Sequence, residues 1–118
     1  MSADQIEALL HTLVLETLLA LWLTRRWPAE ARPSWRQVAM IALSASLITH
    51  PLLYSLVRWR PEMWSWHTRL AVWESVVVLA ETLVYWRGLR CGLGRAFGLS
   101  LACNALSLFL PMAVRALR

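Results

Sequence analysis

The stretch LAVWESVVVLAETLVYW, residues 70–86, decides the fold. It reads as a membrane-spanning helix except at Glu74 and Glu81, which stand seven residues, or two helical turns, apart. An ionisable group at bilayer depth costs roughly 2.5–3.5 kcal/mol on insertion scales. A chain that keeps two such groups in register, about 10 Å apart along one helix face, is hiding them from lipid. The stretch therefore predicts a polytopic membrane protein with a polar site inside its helices.

Outward from it lie three more apolar runs, at 6–23, 37–57 and 96–114. Each has about the length needed to cross ~30 Å of hydrocarbon at 1.5 Å per residue. The second and fourth runs contain no Asp, Glu, Lys or Arg, whereas Glu16 stands in the first and His50 in the second. With 58% hydrophobic residues and a mean hydropathy of +0.49, the composition argues against a soluble domain. The expected fold is all-α, a polytopic membrane four-helix bundle in which residues 1–118 form one transmembrane domain.

The connectors carry the positive charge. The chain has no lysine, and its net charge of +5 comes from arginine alone. Residues 24–36 hold Arg25, Arg26, Arg32 and Arg36 with Trp27, Pro28, Pro33 and Trp35; residues 58–69 hold Trp59, Pro61, Trp64 and Trp66; residues 87–95 hold Gly88, Gly92 and Gly94. Seven of the eight tryptophans lie in or beside these connectors, as expected of rings anchored at the headgroup layer. Arginines confined to short loops between apolar runs suit anionic lipid, so the expected partner is membrane lipid and not nucleic acid. Connectors one and three hold seven arginines, against five in connector two and the C-terminus. This bias predicts a bacterial inner-membrane protein with both termini periplasmic; its small margin leaves dual topology open. Residues 1–7 have no basic residue, unlike the start of a signal peptide, so the first run is expected to stay as an anchor. Cys91 and Cys103 form neither a Cys-x-x-Cys motif nor a disulfide framework.

Counted inward from the outer boundary, His50, Glu74, Glu16, Asn104 and Glu81 fall between roughly 7 and 18 Å deep. All four runs thus place polar groups in one layer, which points to a shared site. Ser100, Asn104, Ser107 and Pro111 form a stripe on the fourth run, and Gly94, Gly98 and Ala102 a stripe of small residues on another face, suited to close packing. Ala42, Ser46 and His50 align on the second run with Thr49 beside them, and Pro51 frees a backbone carbonyl near Leu47, predicting a kink at His50. Ser, Thr and Asn commonly serve as hydrogen-bonding glue between membrane helices. Glutamates need another reason. No intramembrane Arg or Lys neutralises them, so either they are protonated or a cation sits among them.

Two resemblances bear on these residues. Thr49-His50-Pro51 at the end of one span, Glu74 with Glu81 in the next, and Asn104 to Ser107 in the last are similar to small uncharacterised prokaryotic four-span membrane proteins. That likeness covers the C-terminal three quarters of the chain and implies a polar site without an assigned chemistry. The length, the four spans and Glu16 in the first of them resemble the small multidrug resistance exporters. That likeness implies drug/proton exchange and antiparallel dimers; Glu74, Glu81 and His50 depart from the exporters' pattern.

Three classes of function follow. Glu16, His50, Glu74 and Glu81 are the set expected to bind a divalent metal ion, for a metal-dependent membrane enzyme or a metal carrier, with Glu74, Glu81 and His50 the candidate catalytic residues and Asn104, Thr49 and Ser107 supporting them. The second class is a proton-coupled small transporter. The third is an accessory or assembly subunit of a larger membrane partner; a homodimer is also open. His11 and His67 stand near boundaries, and His67 is a further weak ligand candidate. The Glu-x-x-His of di-iron bundles, the His-Glu-x-x-His of zinc proteases, phosphate-binding loops and Rossmann fingerprints are absent from the sequence, so whether the protein is an enzyme is left open.

Overall fold

The computed structural model describes residues 3–58 and 63–116, without the side chains of residues 4, 5, 8, 50, 52–58, 66, 108 and 110–116. The described chain is all-α: four helices, α1 (Ala3–Thr24), α2 (Trp35–Arg58), α3 (Trp66–Leu89) and α4 (Leu93–Ala116), with a 3-10 turn at Ala29–Ala31 in the first connector.

Each helix outruns its apolar stretch, because backbone hydrogen bonding continues until a cap or an incompatible φ ends it. At the start of α3 the Ser65 hydroxyl accepts the Thr68 amide at 3.2 Å. At its end Arg90 adopts the left-handed conformation (φ 51°, ψ 31°) and breaks the helix. α2 continues through Pro51, so the proline does not terminate it.

The helices form a closed ring: α1 packs on α2, α2 on α3, α3 on α4, and α4 back on α1, and among the described residues the diagonal helices do not approach at the backbone. Connectors one and three meet at one end. There Gln37 Nε2 donates to the Gly88 carbonyl at 2.8 Å, and the Arg95 guanidinium sits 5.7 Å from the centre of the Trp27 ring. Gly88 permits the α2–α3 approach, since a Cβ at that position would collide with the Ile41 side chain. Gly94 and Gly98 differ: no atom lies within 4 Å of where their Cβ atoms would stand. Their stripe of small residues therefore faces outward instead of packing within the chain.

The interior combines small and polar residues with a few larger ones, among them Val38, Trp73, Tyr85, Leu89 and Leu99. Ala20, Ala42, Ala45, Ala96 and Cys103 are fully buried, and Glu16, Ser46, Thr49, Glu81 and Ser100 lie among them. Many of the large apolar side chains point out. Leu10, Val14, Leu18 and Trp22, one per turn of α1, are each more than half exposed at 53–59%. Polar side chains interrupt the apolar run of every helix, and among the described residues no helix is long and apolar enough to cross a membrane.

Candidate functional site

Two carboxylates occupy the centre of the ring. Glu16 on α1 and Glu81 on α3 are buried at 2% and 1% exposure. Their helices stand on opposite sides of the ring, and the donors come from the two helices between them. Ser46 of α2 donates to Glu16 Oε2 at 2.5 Å, and Ser107 of α4 to Glu16 Oε1 at 2.9 Å. Thr49 of α2 donates to Glu81 Oε1 at 2.9 Å, and Asn104 of α4 to Glu81 Oε2 at 2.9 Å. Each of the four helix–helix seams therefore carries one carboxylate hydrogen bond, and each carboxylate is tied to both of its neighbouring helices.

Helical spacing explains why these donors converge. Ser46 and Thr49 are three apart on α2, and Ser100, Asn104 and Ser107 lie at i, i+4 and i+7 on α4, so each set lines one face. Asn104 is held by a second bond, from its amide to the Ser100 carbonyl at 2.8 Å, which aims its other N–H at Glu81. Ser100 in turn donates to the Val78 carbonyl of α3 at 2.8 Å. Ser107 is less committed: its single hydroxyl proton is shared between Glu16 and the Cys103 carbonyl at 3.0 Å.

The sequence-derived candidates separate into groups. Glu16, Glu81, Thr49, Asn104 and Ser107 come together. Glu74 does not join their hydrogen bonds; it is half-buried on the outer α3–α4 seam, where it lines an apolar groove with Ser75, Val78, Leu79, Phe97 and Leu101. The seven-residue spacing places Glu74 and Glu81 on one side of α3, but only Glu81 meets donors from both neighbours. His50 lies in α2 directly after Thr49, and its side chain is outside the described residues. His67 is exposed at the start of α3, and His11 bonds the Glu7 carbonyl on its own helix at 2.9 Å.

Sequence reasoning missed Tyr85 and Cys103. Tyr85 is fully buried, one turn beyond Glu81, and its hydroxyl has no hydrogen-bond partner among the described nitrogen and oxygen atoms. Cys103 donates weakly to the Glu16 carbonyl at 3.6 Å. The i+4 spacing from Glu81 to Tyr85 was the available signal, hidden because a tyrosine near a span end also fits an interface anchor. Cys91, in the third connector, is buried, forms no disulfide and donates weakly to the Tyr85 carbonyl at 3.8 Å, and burial pushes its thiol up from its ordinary value.

Glu16 and Glu81 take donors from the same two helices, Ser46 and Thr49 standing three residues apart on α2 and Asn104 and Ser107 three apart on α4, so the two acids share one buried layer. Such a pair, closed off from bulk water, accommodates a proton or a cation more readily than two bare charges. Among the described residues no group of three or more His, Cys, Asp or Glu side chains is arranged to hold a metal ion. No family model, curated protein or solved structure matches the chain.

Proposed function

We propose that this chain is an integral membrane protein, a four-helix bundle whose Glu16–Glu81 pair takes up and releases protons in small-scale coupled transport. The observation that carries the membrane part is the inverted distribution of polarity. Apolarity measured along a helix counts Glu16, Glu81 and Asn104 whichever way they face; here they turn inward, while Leu10, Leu18, Leu47, Leu79, Trp22 and Trp35 turn outward. In water so many exposed apolar side chains would drive association, whereas in lipid they form the favourable surface. Helices of 22–24 residues run about 33–36 Å, enough for the hydrocarbon core. The long dimension of 48 Å is close to a bilayer with its headgroups, about 40–45 Å.

Proton chemistry is supported by the donor arrangement. Every carboxylate oxygen of the pair already has a protein donor, and hydroxyl donors can rotate to accept instead when a carboxyl gains its proton. The groove beside Glu74 offers a lateral approach towards that layer. Binding of a divalent metal is the second reading. It is favoured by sequence position: His50, a common metal ligand type, directly follows the Thr49 that bonds Glu81.

Difference infrared spectroscopy of the detergent-purified protein across pH separates these readings from a purely structural pair. A protonated-carboxyl band that titrates, and is lost or shifted in both Glu16→Gln and Glu81→Gln, is the expected result. Near-stoichiometric metal by elemental mass spectrometry, lost in Glu81→Gln and His50→Ala, would replace the proton reading with the metal one. No titrating band and no metal would leave the pair as structural glue.

A further inference from the structure

At the end of the bundle where connectors one and three meet, arginine dominates. Arg25, Arg26, Arg32, Arg36, Arg87, Arg90 and Arg95 lie there against a single acid, Glu30. Four of them are occupied with rings: Arg26 lies 4.1 Å from the Trp22 centroid, Arg36 5.4 Å from Trp35, Arg87 5.7 Å from Trp86 and Arg95 5.7 Å from Trp27. Arg25 makes no side-chain hydrogen bond or ring contact with the described residues. Arg32 uses one N–H on the Trp27 carbonyl at 3.0 Å and keeps the rest of its guanidinium fork.

These two arginines line one cleft. The part that carries both arginines, of about 420 Å³, is bounded by Leu21, Thr24, Arg25, Arg32, Pro33 and Trp35. It continues into an apolar part of about 410 Å³ bounded by Leu18, Leu21, Trp22, Arg25 and Trp35. Leu21, Arg25 and Trp35 border both grooves, so the two lie side by side, one carrying both guanidinium groups and the other the exposed Leu18 and Trp22. The N-terminus of α2 opens beside the first part, with no acid in its first turn.

We propose that this cleft is a binding site for an anionic phospholipid, its phosphate held between Arg25 and Arg32 and an acyl chain laid along Leu18, Leu21, Trp22 and Trp35. The charge calls for an anion, and the apolar continuation calls for a ligand with a hydrocarbon tail attached to it. Free phosphate would satisfy the first part of the cleft and leave the second empty. The site rests on the membrane reading and is independent of any chemistry at Glu16 and Glu81.

The test is lipid retention by native mass spectrometry of the detergent-purified protein, titrated with phosphatidylglycerol, phosphatidylcholine or inorganic phosphate. The wild type is expected to prefer phosphatidylglycerol. Each of Arg25→Gln and Arg32→Gln should weaken that preference roughly fivefold, with the pair of changes multiplying, as expected for one arginine charge at an anionic surface. Arg87→Gln, which removes a charge at the same end but outside the cleft, should leave it unchanged. Three outcomes overturn the assignment: equal retention of the two lipids, an undiminished preference in the double variant, or an equal loss in Arg87→Gln. Displacement of phosphatidylglycerol by inorganic phosphate at equal concentration would overturn the lipid as occupant in favour of a free anion. Alkaline carbonate extraction of native membranes tests the membrane reading separately. A chain that stays in the pellet without lipid preference loses the site alone, and a chain that is released loses the reading beneath it.

Discussion

At the scale of single residues, Glu16 and Glu81 differ from the hydroxyls around them because glue does not require ionisable groups. Gln keeps the shape and hydrogen-bonding reach of Glu while removing its exchangeable proton. If the pair exchanges protons, Glu81→Gln inserts normally yet lowers pH-driven flux in proteoliposomes roughly a hundredfold or more, the scale of a positioned proton acceptor. Full activity in a folded Glu81→Gln variant would refute the site at its centre. The donors make a separate prediction. Asn104→Leu deprives Glu81 of its amide partner and Ser46→Ala removes the short bond to Glu16, each in a buried setting. Losses of about 1.5–3 kcal/mol in reversible unfolding are expected for each. Ser107→Ala should cost less, because its hydroxyl is half-buried and shared with the Cys103 carbonyl.

At the scale of helices, the two kinds of glycine make opposite predictions. Gly88→Ala sets a methyl against Ile41 at the α2–α3 seam and strains the Gln37 bond to the Gly88 carbonyl. Overpacking of that kind costs about 1–3 kcal/mol, and Ile41→Val in the same chain should recover part of it. Gly98→Ala meets nothing and adds helix propensity, so it should be neutral or stabilising by up to about 1 kcal/mol. Thermal unfolding in detergent ranks the two. Destabilisation by Gly98→Ala would show instead that the outward face is occupied, by a second copy or another helix.

At the scale of the whole molecule, the arginine bias and the closed ring make a topological prediction. Connector two, with Met63 97% exposed, is expected on the periplasmic face, and connector one on the cytoplasmic face. In intact cells an impermeant maleimide should label Met63→Cys at once and Ala29→Cys only after permeabilisation. The native Cys91 and Cys103 are both buried and should contribute little background. The reverse pattern inverts the orientation, and equal labelling of both sites indicates dual topology or a chain that does not cross the membrane.

The number and approximate places of the helices were legible in the sequence, since four apolar runs separated by Arg, Trp, Pro and Gly leave little choice of where a helix forms. Also legible, from the rise per residue, was one layer holding His50, Glu74, Glu16, Asn104 and Glu81, within which Asn104 and Glu81 share a hydrogen bond. Which acids meet was not. Seven-residue spacing made Glu74 and Glu81 look like partners, but faces are shared out by the neighbours, and only the closed ring could set Glu81 between Thr49 and Asn104 while leaving Glu74 on the outer seam. The tertiary structure likewise turned Gly94 and Gly98 outward, buried Tyr85, and joined Arg25 and Arg32 across the first connector. Periodicity along a chain specifies depth and face for each helix alone. The rotation of one helix against the next depends on how all four pack, and that is where the site was decided.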